Sequence, residues 1–445
     1  MKRLITEQAV VGAGPVGVLG ALSLANAGPS VTLLDGDLAF SRQFAGEWLH
    51  PEGLRLLEEQ GIHLPAGAGV IPGKGFVVYP DDGSDPIRLE NFAGREGVAF
   101  ERAPFMDLLR SHCRDHPRIQ FIPQAKVVRV ERGRLECHGG EPGAEWELRA
   151  ERIVGADGRQ SIVRRAHGPG RKAHLISYMA GALLKGAGLP HEGFGHVILG
   201  GPGPILMYRI GVDTVRVCLD VPAKLFQANP AGAMRAHLER VPAGVQELLR
   251  TELEAGRYAV RPNQFRPRVF YGNEDMPLLG DAVGFQHPLT AMGMTLGFED
   301  AHCLVRCRDF PSFERERLSR TVVPELLALA LYEAFSRPDA GAASVRRAIY
   351  QMWRDYAVER ERTLKLLCGE ETNVLRFGQS FMRGAQLALL HALSGGSLAG
   401  IYRETLGTLG SIGKILCLLS GPPSSRILPF GMLAASSYPR RSSAA

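Results

Sequence analysis

Hydrophobic and polar positions change period several times along the chain. Near the start, Ala9-Val10-Val11 predicts a short apolar strand that breaks at Gly12-Ala13-Gly14-Pro15-Val16-Gly17. A Leu- and Ala-rich run over 18–27 then predicts a helix ending at Gly28-Pro29, and Val31-Thr32-Leu33-Leu34 predicts a second strand closing on Asp35. Two later apolar runs also open into Gly/Asp turns. One is Arg152-Ile153-Val154-Gly155-Ala156-Asp157-Gly158, followed by Val163-Arg164-Arg165; the other is Pro277-Leu278-Leu279-Gly280-Asp281, followed by a helix predicted over 295–306. Three such strand ends predict one sheet visited three times, with other chain inserted between visits. Residues 75–79 and 87–89 predict a hairpin around Pro80-Asp81-Asp82-Gly83, and 196–199, 205–210 and 215–221 predict strands of a separate antiparallel sheet. From Val322 onward the pattern turns helical, with one stretch around 326–331 and another over 345–362.

The spacing of the first glycine turn has a chemical reason. The first Gly permits a sharp strand-to-helix turn, the second lets backbone approach a pyrophosphate, and the third lets helix pack on strand. The helix start then offers free N–H groups and partial positive charge to phosphates. Asp35 stands where a carboxylate accepts hydrogen bonds from ribose hydroxyls. Strand, turn, helix, strand and acid in this order predict a dinucleotide site.

Composition narrows the class. With 45% hydrophobic and 22% charged residues, the chain is a folded globular protein and not a disordered or collagen-like one. Seven widely scattered Cys do not read as a disulfide framework and fit a reducing cytoplasm. Cys303 and Cys307 are read as packing, and no metal site is expected. No export signal is apparent at the start. The formal charge is +6, of which residues 381–445 carry +5 through Arg383, Arg403, Lys414, Arg426, Arg440 and Arg441 against Glu404. A basic, apolar tail points to an anionic membrane surface and not to nucleic acid. The tail is too polar and too often interrupted by Gly and Pro for a spanning helix. It is expected to lie at a membrane interface, making the protein cytoplasmic and peripheral, or to pack as a helical lid on the protein's own core.

The three Gly/Asp stretches resemble the GxGxxG, DG and GD motifs of FAD-dependent monooxygenases, and the closer resemblance is to the squalene monooxygenase (squalene epoxidase) family. Gly46-Glu47-Trp48-Leu49-His50-Pro51-Glu52-Gly53 is similar to that family's GExLQPGG segment. Leu279-Gly280-Asp281-Ala282, His287-Pro288-Leu289-Thr290 and Gly293-Met294-Thr295 are similar to its LGDA…HPLTGGGMT signature. Residues 204–208 and 330–336 also resemble family segments. The resemblance covers roughly 5–360 and implies an α/β protein: a Rossmann-like FAD domain with an inserted antiparallel β-sheet substrate domain and a C-terminal helical part. The FAD domain would comprise 1–70, 96–170 and 269–320, the substrate domain 71–95 and 171–268, and the helical, membrane-associated part 321–445.

The resemblance also implies roles. FAD would be held by Gly12, Gly14, Pro15, Val16, Gly17, Asp35, Arg42, Arg102, Val127, Asp157, Gly280, Asp281, Gly293 and Met294. The substrate would meet Trp48, Phe76, Tyr208 and Leu289, with His50, His287 and Pro288 positioning the reaction. Several positions depart from the family pattern: His50 replaces a Gln, Glu52 a Gly, Phe76 an aromatic hydroxyl, and the arginine before Gly46 falls at Arg42. The expected chemistry is attack of an alkene on a flavin C4a-hydroperoxide formed with O₂, which needs neither a protein nucleophile nor a metal. Electrons would come from NAD(P)H, directly or through a reductase. The expected substrate is apolar and isoprenoid, squalene-like or a prenylated aromatic such as a farnesyl quinolone. A flavin-dependent prenyl reductase and an aromatic hydroxylase using His50 or His287 as base are the alternatives.

Overall fold

The computed structural model describes residues 2–37, 44–64, 69–91, 95–140, 145–168, 170, 172–393, 405–410 and 413. In chain order the strands are β1 (Lys2–Val11), β2 (Val31–Asp35), β3 (Trp48–Leu49), β4 (Val70–Gly73), β5 (Gly75–Tyr79), β6 (Ile87–Glu90), β7 (Gly97–Phe100) and β8 (Ile119–Pro123). They continue as β9 (Ala125–Glu131), β10 (Arg134–Gly139), β11 (Glu145–Gly155), β12 (His174–Lys185), β13 (Phe194–Ile198), β14 (Ile205–Gly211), β15 (Thr214–Pro222) and β16 (Tyr258–Phe265). The helices are α1 (Pro15–Asn26), α2 (Pro51–Glu58), α3 (Arg102–Asp115), α4 (Ile162–Ala166), α5 (Ala223–Ala228), α6 (Pro230–Arg235) and α7 (Ala243–Glu254). After these come α8 (Gly293–Arg306), α9 (Phe310–Ser336), α10 (Ala340–Asp355), α11 (Ala357–Cys368) and α12 (Val374–Leu393).

The first sheet has the order β8-β2-β1-β11-β10-β9, with β8, β2, β1 and β11 parallel and β9 and β10 added as an antiparallel meander. Parallel strands are buried on both faces, and β2 accordingly hides Val31, Leu33 and Leu34 together with Thr32. Helices α1, α3 and α8 pack on this sheet through Leu19, Leu22, Met106, Leu109 and Phe298. The third expected visit is reduced to a parallel bridge between Gly155 and Leu278. Pro277 has no N–H to extend a ladder, so the contact rests on Gly155 N–H to Pro277 O (2.8 Å) and Leu279 N–H to Gly155 O (2.8 Å).

The second sheet has the order β16-β12-β15-β14-β13-β5-β6 and is antiparallel except for the parallel pair β13–β5. Its two faces have different cover. One carries Ala182, Met207, Val217 and Leu219 against Met234, Val245 and Leu249 of α6 and α7. The other carries Val78, Ile87, Leu89 and Val197 against Tyr332, Phe335, Tyr350 and Trp353 of α9 and α10. A small sheet, β3-β7-β4, lies between the two larger ones in sequence and brings the Gly46-Glu47-Trp48 segment to them.

The helical region departs from the sequence pattern in two places. Helix α9 begins twelve residues before Val322, at Phe310, capped by the Asp309 carboxylate accepting from Ser312 N–H, and continues through Pro324. The expected stretch over 345–362 is divided at Tyr356 into α10 and α11. No described helix is long and apolar enough to cross a membrane. Of the tail, 394–404, 411–412 and 414–445 lie outside the described residues, including the apolar run Ile415–Leu419.

Candidate active site

The glycine turn is fixed by close backbone packing. Gly12 has φ +100°, and a Cβ there would lie 2.6 Å from the Ala156 carbonyl oxygen; a Cβ on Gly17 would lie 1.7 Å from that of Gly12. The turn therefore rests directly on the end of β11, where Ala156 N–H donates to Val11 O (2.9 Å). Gly14 is different: it faces open space and caps α1 with no side-chain hydrogen bond. Pro15 at the first helical position has no N–H, so the first free N–H groups of α1, from Val16 onward, are left for an external acceptor. The Val16 side chain reaches the GD turn, 3.1 Å from where a Gly280 Cβ would be.

Asp35 stands at the open end of β2. Its carboxylate accepts from Ala13 N–H (3.2 Å), Asp37 N–H (2.9 Å) and Arg110 (3.0 Å), and Arg110 also donates to Ala13 O (3.1 Å). Burial holds the Asp35 carboxyl above its ordinary range, against the pull of those donors. Arg110 escaped the sequence reading, although it falls on the buried face of α3 beside Met106, Leu109 and Cys113. A charge on an apolar helix face is the signal that marks it. Val127 lies on β9 next to Lys126, whose Cα is 3.2 Å from the Cβ position of Gly36, so β9 borders the Asp35 end of the turn.

The other two motifs converge on the same space. Asp157 turns inward and accepts from Ile162 N–H (2.6 Å) and Val163 N–H (3.3 Å), with burial raising its carboxyl. Arg159 pairs with Asp281 (3.2 Å), and Arg164 donates to Asp281 O (3.3 Å) and Ala282 O (2.7 Å). Gly280, with φ +59°, donates its N–H to Asp300 (2.8 Å), and Arg268 holds Gly280 O (3.0 Å) and Gly284 O (3.0 Å). Gly293 opens α8 and, like Gly14, faces open space; the Met294 methyl lies 3.6 Å from the Cβ position of Gly46. Arg102 donates to Gly46 O (3.1 Å). Burial lowers its guanidinium, and the charges it feels are Glu47, Arg110 and Asp281. Arg42 lies outside the described residues. Two uncapped helix starts bordered by glycines, a carboxylate at a strand end and a buried arginine make a donor set that fits an extended nucleotide with a diphosphate.

Across Gly46-Glu47 lies an aromatic group. Trp48 packs on Phe76 with ring centres 5.1 Å apart and meets Tyr208 edge-on at 5.9 Å. Ile71, Ala99, Ile210 and Ala291 complete the cluster. Leu289 belongs to the neighbouring cluster with Val78, Tyr332 and Phe335, and Phe76 touches both. Three of the four expected substrate residues thus come together, and the fourth joins through Phe76. Glu47 ties the group to the second sheet through two 2.7 Å bonds with Arg216, both side chains buried. The Tyr208 phenol is pushed well above its ordinary range, first by burial and then by Cys218 and Glu47.

Neither histidine offers a free ring nitrogen. His50 Nε2 donates to Thr290 O (2.8 Å), and Nδ1 faces the Cys368 thiol at 3.7 Å. Burial pulls His50 down to about 4 and pushes Cys368 up to about 12, so the two meet as neutral groups. His287 Nε2 faces Asp220 (3.1 Å) and Nδ1 accepts from Leu289 N–H (3.2 Å). The aromatic-hydroxylase reading would use one of them as a base, and both ring nitrogens of each already face a partner. Pro288 follows in a short turn ending at Ala291, whose φ of +52° suits glycine better, as the family signature has there.

Other chemistry lies away from this space. Cys303 and Cys307 bring their sulfurs within 3.4 Å, with Glu316 3.6 Å from Cys307 and paired to Arg306. A cavity of about 280 Å³ is lined by Gln8, Glu151, Arg152, Glu274, Asp275 and Asp309, none of them a site residue.

A family model for squalene epoxidase matches residues 149–400, more than half of the chain. The chain belongs to the squalene epoxidase family. It is 28% identical over 388 residues to the squalene epoxidase of Aspergillus fumigatus, covering 80% of each chain. With the squalene monooxygenase of Mus musculus it shares 26% identity over 369 residues, which is 77% of this chain and 64% of the mouse enzyme's length. Among solved structures, p-nitrophenol 4-monooxygenase of Pseudomonas putida matches with a TM-score of 0.67 at 17% identity, covering 83% of this chain and all of that one; at that identity the likeness speaks for the fold. Membership makes the protein an FAD-dependent monooxygenase, and its fold is an FAD-binding α/β domain with an inserted β-sheet domain and a helical C-terminal part.

His50 gives a pH prediction. Its folded value near 4 lies below its ordinary 6.5, so between those values the unfolded chain binds the extra proton and stability falls as pH falls. The slope for one such group reaches about 1.4 kcal/mol per pH unit. His50→Gln keeps a donor for Thr290 O and removes the titration. The drop in melting temperature from pH 7 to pH 5 should shrink in this variant but persist in part, because burial also pulls His196 down to about 4.

Proposed function

We propose that this monooxygenase epoxidises a carbon–carbon double bond of an apolar isoprenoid substrate, taking one oxygen atom from O₂. The observation that carries the reading is the aromatic group Trp48, Phe76 and Tyr208 beside Ala291, in the turn that leads into the flavin-side helix α8. Bound FAD supplies the oxygen activation. The chain would hold it by the N–H groups after Gly14 and before Met294, with Asp35 at the ribose, Val127 at the adenine side and Asp281 at the ribityl–diphosphate part. An alkene needs no deprotonation, which suits a site whose two histidines are already committed. Trp48, Phe76, Tyr208 and Leu289 would orient the double bond and exclude water. Squalene, or a prenylated aromatic with a reactive ring double bond, matches this lining. Phe76 in place of an aromatic hydroxyl makes the mouth more apolar than the family pattern.

Electrons are assigned to NAD(P)H, directly or through a reductase. The exposed apolar side chains Leu375, Met382, Leu390 and Leu393 on α12 support contact of the C-terminal part with a membrane interface, as expected of a peripheral cytoplasmic protein. Substrate-dependent O₂ uptake tests the function. Squalene or a prenylated quinolone should raise uptake above the unliganded rate, while conversion of a polyprenyl compound in the absence of O₂ would favour a prenyl reductase. Trp48→Ala should raise KM for the accepted polyprenyl substrate about tenfold or more, because an aromatic contact worth about 0.5–1.5 kcal/mol is lost together with the apolar area it buries. Its retained flavin spectrum would separate this effect from loss of FAD.

A further inference from the structure

Three neighbouring strands of the second sheet send polar side chains to one buried point. Asn263 on β16 and Ser177 on β12 are cross-strand partners, and Asp220 lies on β15, the next strand. Ser177 donates to Asp220 Oδ1 (2.5 Å), while Asn263 donates to the same oxygen (2.9 Å) and to Ser177 Oγ (2.9 Å). His287 joins from the flavin side. Because its Nδ1 accepts from Leu289 N–H (3.2 Å), its ring proton sits on Nε2, 3.1 Å from Asp220 Oδ1 and 3.0 Å from Ser177 Oγ. Tyr332 of α9 lies against the imidazole with ring centres 4.2 Å apart. Ser177, Asp220 and His287 are fully buried, and Asn263 nearly so.

Burying such a group costs desolvation that an apolar contact would avoid, and what directional bonds add is a single defined arrangement. Here the arrangement fixes the imidazole of the residue that starts the Pro288–Ala291 turn. That turn touches the aromatic group through Ala291, bonds His50 through Thr290 O, and runs directly into α8. We propose that Asp220, Ser177 and Asn263 are positioning residues that act through His287. They would set the turn's position against the flavin, and with it the flavin's electronic environment. Gly203 belongs to the same device, since a Cβ there would lie 2.4 Å from Asp220 O and 2.9 Å from its Oδ2. The inference rests on FAD binding by this chain and is independent of the substrate.

The test uses the full-length protein stripped of FAD and titrated with it, recording flavin fluorescence, the visible spectrum of the bound flavin and its reduction potential. Asp220→Ala and His287→Ala should shift spectrum and potential and weaken FAD about tenfold, the order of loss when an outer partner of a metal ligand is removed. Ser177→Ala, which removes one hydroxyl, should shift them in the same direction by less. Asp220→Asn and Ser177→Thr keep the acceptor and the hydroxyl and should restore wild-type values. Variants that melt earlier yet bind FAD with unchanged spectrum, potential and affinity would overturn the proposal and leave the cluster a purely structural one. Failure of the wild-type chain to bind FAD would instead contradict the flavin assignment.

Discussion

Gly14→Asp should give a protein that folds as well as the wild type and binds FAD at least a hundredfold more weakly. Gly14 has φ −71° and open space where a Cβ would go, and it caps α1 without a side-chain hydrogen bond. An aspartate there has room and becomes a helix cap, better than glycine by only about a few tenths of a kcal/mol. The carboxylate then occupies the N–H groups that the diphosphate needs and repels it by about 4 kcal/mol at contact distance in a half-exposed setting. Melting temperature should therefore hold at or slightly above the wild-type value while FAD affinity falls. Gly17→Ala makes the contrast, because its Cβ would fall 1.7 Å from Gly12 O and the turn itself must open. If Gly14→Asp bound FAD like the wild type, the glycine turn would not be the diphosphate site.

Arg317→Met should destabilise the fold by about 3–5 kcal/mol, the usual cost of removing one partner from a buried ion pair. Arg317 pairs with Asp300 (2.8 Å) and Glu299 (2.7 Å) and donates to Leu296 O (3.2 Å), with all three side chains buried. Its removal leaves two carboxylates in the interior with one arginine, Arg268, between them and the GD turn. Since whole domains are stable by only about 5–15 kcal/mol, thermal unfolding followed by circular dichroism should show a large drop. Asp300 also accepts Gly280 N–H, so FAD should loosen in parallel. Adding Glu299→Gln to Arg317→Met should recover part of the loss. A variant with wild-type melting would show that the cluster is solvated and contributes little.

What the sequence revealed follows the range of the interactions concerned. The turn from Gly12 to Asp35 is a local motif whose geometry is set by residues close in the chain, and the residues it names do meet around one space. Arg110 contacts Ala13 and Asp35 from 97 and 75 residues away; its place on the apolar face of α3 marks it as unusual, but nothing local names those partners. Ser177, Asp220 and Asn263 read as ordinary strand positions, and only the pairing of β12, β15 and β16 brings them to His287. The division of α10 from α11 at Tyr356 was hidden because no Gly or Pro marks it. Conversely, Pro324 suggests a break that α9 does not make, since burial of Val323, Leu326, Leu327 and Leu329 outweighs one lost backbone bond. Trp48, Phe76 and Tyr208, proposed to meet the substrate, were individually legible through the resemblance, but their mutual packing was not.

Transfer of one oxygen atom from O₂ to an isoprenoid double bond is the reaction proposed for this protein. The most direct measurement is turnover of the FAD-loaded protein with squalene and with prenylated quinolones or quinones under ¹⁸O₂, with electrons supplied by NAD(P)H and a reductase, followed by mass spectrometry of the product. Incorporation of a single ¹⁸O as an epoxide is the predicted result. A reduced, unlabelled product that forms equally well without oxygen would contradict it.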